Sequence, residues 1–163
     1  MSDRVHAPTE TWSATLALRV ALFAVAASLA LYIPYKYATH LHAIEGLYAF
    51  LFPLSGVLAL AGIVLAVKPQ TGCGCSEPMR AGVGVVAGLW MGTGLLCVPT
   101  LAATVQASPL GGMLATFHML AQHVFLSSVL LAFAIAPSWT ARTLGGTAPA
   151  MVVRPRSGRT APT

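Results

Sequence analysis

Apolar residues gather in this chain into four long blocks separated by short polar stretches. The blocks cover about 17–34, 44–67, 81–105 and 112–136. Each is close to the roughly 20 residues that carry a helix across a bilayer. Hydrocarbon holds no water to pair with backbone N–H and C=O groups, so a spanning segment must pair them itself. The blocks therefore predict helices. A membrane β-barrel would alternate apolar and polar positions over strands of about ten residues, and no such alternation runs through the blocks.

The links between blocks are short: 35–43, 68–80 and 106–111. Short links make consecutive helices antiparallel neighbours. The expected fold is all-α, a polytopic membrane protein with four transmembrane helices in one antiparallel bundle, 17–136. Residues 1–16 are expected to form a cytoplasmic N-terminal segment. Residues 137–163 are expected to form a cytoplasmic tail, Pro/Ser/Thr/Arg-rich from Thr147 onward and flexible on its own. A cleaved signal peptide is the rival reading of residues 1–30, because Ala24 to Ala30 is rich in small residues. Asp3 and Glu10 in its n-region and the even helix count argue against cleavage.

Composition agrees with the block pattern. Hydrophobic residues make up 56% of the chain and charged residues 8%, where a soluble domain carries about 25% charged residues. Mean hydropathy is +0.77. These values exclude a soluble enzyme, a nucleic-acid-binding domain and a disordered chain. The net charge of +5 is sorted rather than spread. Arg4, Arg19, Lys68, Arg80, Arg142, Arg154, Arg156 and Arg159 fall on one side of the expected bundle, and Lys36 alone on the other. Lys and Arg accumulate on the cytoplasmic side. Both termini and the link 68–80 are therefore expected in the cytoplasm, with the protein in a bacterial inner membrane. The excess positive charge is a topology signal, not the footprint of a nucleic acid.

Helix packing has its own signal. Gly84, Gly88 and Gly92 form a small-xxx-small ladder in the third block, the pattern that lets helix backbones approach closely in lipid. The first block, with Ala21, Ala24 and Ala27, is the candidate neighbour; a second copy of the chain is the alternative. Pro99 is expected to bend the third helix near its outer end. Tyr32, Tyr35, Tyr37 and Tyr48 flank the first outward link like an aromatic belt.

The few polar residues concentrate in the outer half of the membrane. Lys36, His40, His42 and Glu45 lie on the first outward link and the start of the second helix. The fourth helix enters from outside, so His118 lies roughly 9 Å and His123 roughly 16 Å below its start, at about 1.5 Å per residue. Gln122 is one turn from His118, and Cys97 and Thr100 reach the same half. Polar groups at this depth are costly and face the bundle interior. Three chemistries fit. His42 and Glu45 at i and i+3, with His118, offer imidazole and carboxylate ligands to zinc, copper or iron. The same groups with His123 and Gln122 could bind a quinone and move its protons. Haem ligation needs histidines facing across helices, whereas His118 and His123 share one helix and point apart. The plain structural alternative makes His40 and His42 solvated headgroup residues, with His118, Gln122 and His123 in interhelical hydrogen bonds.

On the cytoplasmic link, Cys73 and Cys75 form a Cys-x-Cys pair between glycines. A reducing compartment disfavours a structural disulfide there. The pair could bind a soft metal, exchange with a disulfide or sense an oxidant, or be incidental to a flexible turn. Cys97 reads as a small buried apolar residue. No phosphate loop, nucleophile elbow or HExxH occurs, and the chain has only four acidic residues.

At the exit of the first helix the chain reads Tyr32-Ile33-Pro34-Tyr35-Lys36. The second helix opens with Tyr48-Ala49-Phe50 and continues with Leu54-Ser55-Gly56-Val57-Leu58. Pro99-Thr100 and Ser108-Pro109 mark the exit of the third helix. These segments resemble the YkgB (RclC)-like branch of the DoxX-like four-helix inner-membrane proteins over about 17–136. The chain departs from that branch where Lys36 replaces an acidic residue. It departs again where His123-Val124-Phe125 and Ser127-Ser128 stand for an Arg-Phe and a Lys-Asp pair. The resemblance implies an inner-membrane protein linked in some members to oxidant stress, and in more distant relatives to thiosulfate or quinone redox chemistry.

The expected function is that of a small integral membrane protein without autonomous catalysis. It would act as an accessory or interaction subunit of a larger membrane complex or homo-oligomer, or as a DoxX-like stress-linked protein. The alternative is a redox subunit that binds a quinone or metal at His42, Glu45, His118, Gln122 and His123.

Overall fold

A computed structural model describes residues 9–39, 47–69, 75–96 and 98–146. Every regular element among them is helical. Helix α1 spans Thr9–Thr39 and α2 spans Leu47–Val67. The first apolar block ends at Pro34, but α1 continues five residues further. A proline removes one N–H from the ladder. In an apolar surrounding the neighbouring backbone groups have no other partner, so the helix persists on both sides.

The third block is described in two helical stretches. Helix α3 covers Glu77–Leu96 and α4 covers Val98–Ala107. Helix α3 begins four residues before the apolar block, with Glu77 in its first turn, where the N-terminal dipole favours a carboxylate. Pro78 also fits there, since a first-turn N–H has no helical partner to lose. Cys97, which separates the two, lies outside the described residues.

The fourth block is one rod, Pro109–Ile135, with an interruption inside it. It consists of α5 (Pro109–Met119), a π-helical segment (Leu120–Leu126) and α6 (Ser127–Ile135). Ser108 caps α5 by accepting from the Gly111 amide at 3.2 Å, with Pro109 at the first helical position; both are preferred helix starts. Helix α7, Pro137–Thr143, follows. It ends at Gly145 with φ +77°, which donates to the Arg142 carbonyl while Gly146 donates to that of Ala141. This is a Schellman closure, which needs a left-handed residue and so favours glycine.

Three described helices are long and apolar enough to cross a membrane: Ala14–Tyr35, Glu77–Leu96 and Pro109–Ile135. They mark a membrane protein. Large apolar side chains point outward along them, including Leu31, Leu95, Phe117 and Ile135. A soluble protein does not leave such surface to water. Helix α2 is apolar too, with Phe52–Val67 a shorter stretch of the same kind.

Helix α1 packs along α2, and α3 along α6 and the π segment; α1 also meets the π segment. The buried stripe of α1 is Leu22, Ala26 and Leu29, at helical spacing. It is offset from the alanines singled out in the sequence: Ala21 and Ala24 are exposed. Gly62 of α2 completes the crossing, because a Cβ there would stand 2.8 Å from both Ala26 Cβ and Leu126 Cδ1. At the same end Arg19 reaches from α1 to the end of α2. Its Nε donates to the Ala66 carbonyl at 2.9 Å and its Nη2 to that of Val67 at 3.1 Å. It thereby caps carbonyls that the helix end leaves unpaired.

The glycine ladder of α3 does not act as a unit. A Cβ on Gly84 would meet Ala134 Cβ of α6 at 2.8 Å, whereas Gly88 and Gly92 face open space. The close neighbour of α3 is thus the fourth rod rather than α1. The second tight glycine is one that the four-residue spacing leaves out, Gly94.

Candidate functional site

Polar groups meet where the π segment faces α3 and α1. His123 leaves this segment 9% exposed and stacks on Trp90 of α3, with ring centroids 4.7 Å apart and planes 11° from parallel. Its Nδ1 lies 2.8 Å from the Trp90 carbonyl oxygen. A carbonyl only accepts, so Nδ1 carries the proton and donates. Thr93 Oγ1 donates to the same carbonyl at 2.7 Å and stands 3.3 Å from Nδ1. The shorter carbonyl contact carries the bond, and the longer one follows from two donors sharing an acceptor. Gly94 makes this possible, since a Cβ there would sit 2.8 Å from His123 Cβ and 3.1 Å from Cγ.

Gln122 is 2% exposed. Its Nε2 donates to Ser28 Oγ of α1 at 3.5 Å, a long bond, while Ser28 donates to the Val25 carbonyl at 2.8 Å. One turn nearer the start of the rod, His118 packs on Tyr32 of α1, centroids 5.1 Å apart and planes tilted by 55°. Adjacent residues of a helix point in different directions, so Gln122 addresses α1 and His123 addresses α3. Three side-chain atoms in the described residues are buried without a hydrogen-bond partner: Trp90 Nε1, Gln122 Oε1 and Ser127 Oγ.

The π turn explains the arrangement. From Gly84, facing Ala134, to Gly94, facing His123, α3 advances ten positions while the fourth rod advances eleven. The i→i+5 bonds of the π segment absorb the extra residue.

Of the five residues expected to form an outer site, His42 and Glu45 lie outside the described residues, as does His40. His118, Gln122 and His123 are described, but His118 and His123 meet different neighbours, Tyr32 and Trp90. No three His, Cys, Asp or Glu side chains among the described residues are placed to hold a metal. Cys73 and Cys97 also lie outside the described residues; Cys75 is half-buried against the core. Sequence reasoning missed Ser28, Trp90, Thr93 and Gly94. An isolated Trp or Ser in an apolar run carries no spacing signal. The chain matches no family model, no curated protein and no solved structure.

Proposed function

We propose that the chain is a multi-pass inner-membrane protein without autonomous catalysis, an accessory or interaction subunit of a larger membrane assembly or a DoxX-like stress-linked protein. In this reading α2 is the fourth crossing, and both termini face the cytoplasm. The observation that supports it is how His123 and Gln122 are used. His123 spends Nδ1 and its ring face on Trp90, and Gln122 turns to Ser28. In lipid such bonds between helices act as glue. The outward faces of the bundle stay apolar, ready for lipid or for another membrane subunit. The alternative is a redox subunit binding a quinone or metal. It is favoured by one feature: with Nδ1 donated to a carbonyl, Nε2 is the nitrogen His123 has left for a ligand, the orientation that ligating histidines adopt.

Purification in mild detergent separates the two. The accessory reading expects the protein to co-migrate with a larger complex, without a visible chromophore, stoichiometric metal or extractable quinone. A stoichiometric cofactor that disappears in H118A or H123A would overturn it in favour of the redox subunit.

A further inference from the structure

We propose that Trp90, Gln122 and Ser127 form a binding site for one buried water molecule on the fourth rod, between its contacts with α1 and with α3. The three unpartnered atoms are Trp90 Nε1, Gln122 Oε1 and Ser127 Oγ. Gln122 is 2% exposed and Ser127 fully buried, so neither is served by bulk water or headgroups.

The helix register favours their convergence. In an α-helix residues five apart lie roughly 140° apart around the axis. The i→i+5 turn of the π segment instead brings Gln122 and Ser127 towards one side. The register set by Gly84 against Ala134 and Gly94 against His123 places Trp90 level with Ser127. Ser127 also behaves unlike its neighbours. Ser28, Ser55, Thr93, Thr116 and Thr140 each return a hydroxyl proton to a carbonyl three or four residues back. Ser127 does not, which leaves its hydroxyl available to a guest.

The donor set selects the guest. An indole N–H only donates, an amide oxygen only accepts, and a hydroxyl does either. A water accepts from Trp90, donates to Gln122 and completes its shell with Ser127, within the two to four partners that buried waters take. No Asp, Glu, Lys or Arg occurs between Arg19 and Lys36 of α1 or between Arg80 and Arg142, so an ion at this level would find no counter-charge. The guest is neutral.

The test uses the full chain in lipid bilayers with 15N-labelled tryptophan, and measures magnetisation transfer from water to the indole N–H by solid-state NMR. W90F identifies the Trp90 signal by deleting it. The expected result is transfer to the Trp90 indole, weakened in S127A, which removes a single oxygen, and lost in Q122L/S127A. Absence of transfer in the unaltered chain overturns the proposal, as does transfer unchanged in S127A. An atomic-resolution structure pairing Gln122 Oε1 directly with Ser127 Oγ or Trp90 Nε1 overturns it as well. None of these results bears on whether the protein is an accessory or a redox subunit.

Discussion

Gly94 of α3 lies so close to His123 that a side chain on the first would occupy the space of the second: its Cβ would stand 2.8 Å from His123 Cβ. The imidazole can lie flat on Trp90 only because position 94 carries no side chain. G94A should therefore force the stack apart and destabilise the bundle by about 1–3 kcal/mol, the usual cost of overpacking. G88A and G92A should change stability little, since a Cβ at either position meets nothing within 4 Å. Equilibrium unfolding in detergent compares the three. Equal losses in all of them would show that the whole ladder is packed.

The two roles of His123 can be separated. H123F keeps an aromatic face for Trp90 but removes the Nδ1 bond to its carbonyl. A hydrogen bond between membrane helices contributes about 1 kcal/mol, so H123F should lose about that much. H123A also loses the ring contact, which adds about 1 kcal/mol. The same unfolding measurement gives both values, and an H123F variant as stable as the original would show that the bond contributes nothing.

Arg19 does more than carry a charge, because its guanidinium holds the Ala66 and Val67 carbonyls together. R19K preserves the charge, and hence the orientation, but lacks the planar fork that reaches both oxygens. The last turn of α2 should fray in R19K, with a stability loss of about 0.3–1 kcal/mol. Hydrogen exchange of the amides at 62–67 reports the fraying; unchanged protection would leave Arg19 as a topology residue alone.

The proposed orientation places Cys75 on the cytoplasmic side. In a C73S/C97S variant, which retains Cys75 as its one thiol, a membrane-impermeant maleimide should label the residue in inverted vesicles and leave it unlabelled in intact spheroplasts. Labelling in spheroplasts would reverse the topology.

Much of the fold was legible in the apolar blocks. The helix at Ala14–Tyr35, the one ending at Val67 and the rod ending at Ile135 follow from length and hydropathy. The α5 start follows from Ser108 and Pro109. What hydropathy could not show is which glycine meets which helix. Gly84, Gly88 and Gly92 share a spacing, yet only Gly84 touches the fourth rod, and the second tight contact falls at Gly94. Spacing within one helix says nothing about where a partner crosses it.

The candidate site divides in the same way. His118, Gln122 and His123 stood out because polar groups are costly inside apolar blocks. Their partners did not, because Trp90, Thr93 and Ser28 become notable only beside a second helix. The inserted residue of the π segment was invisible as well, since no residue type marks it; it shows only as eleven positions facing ten. The amino-acid sequence by itself determined that this chain forms apolar helices, because each helix pairs its own backbone wherever it lies. Only the tertiary structure decided how those helices mesh, and with it that His123 rests on Trp90 while Gln122 turns to Ser28. Close packing depends on the shapes of two surfaces at once, and one strand of sequence records them separately.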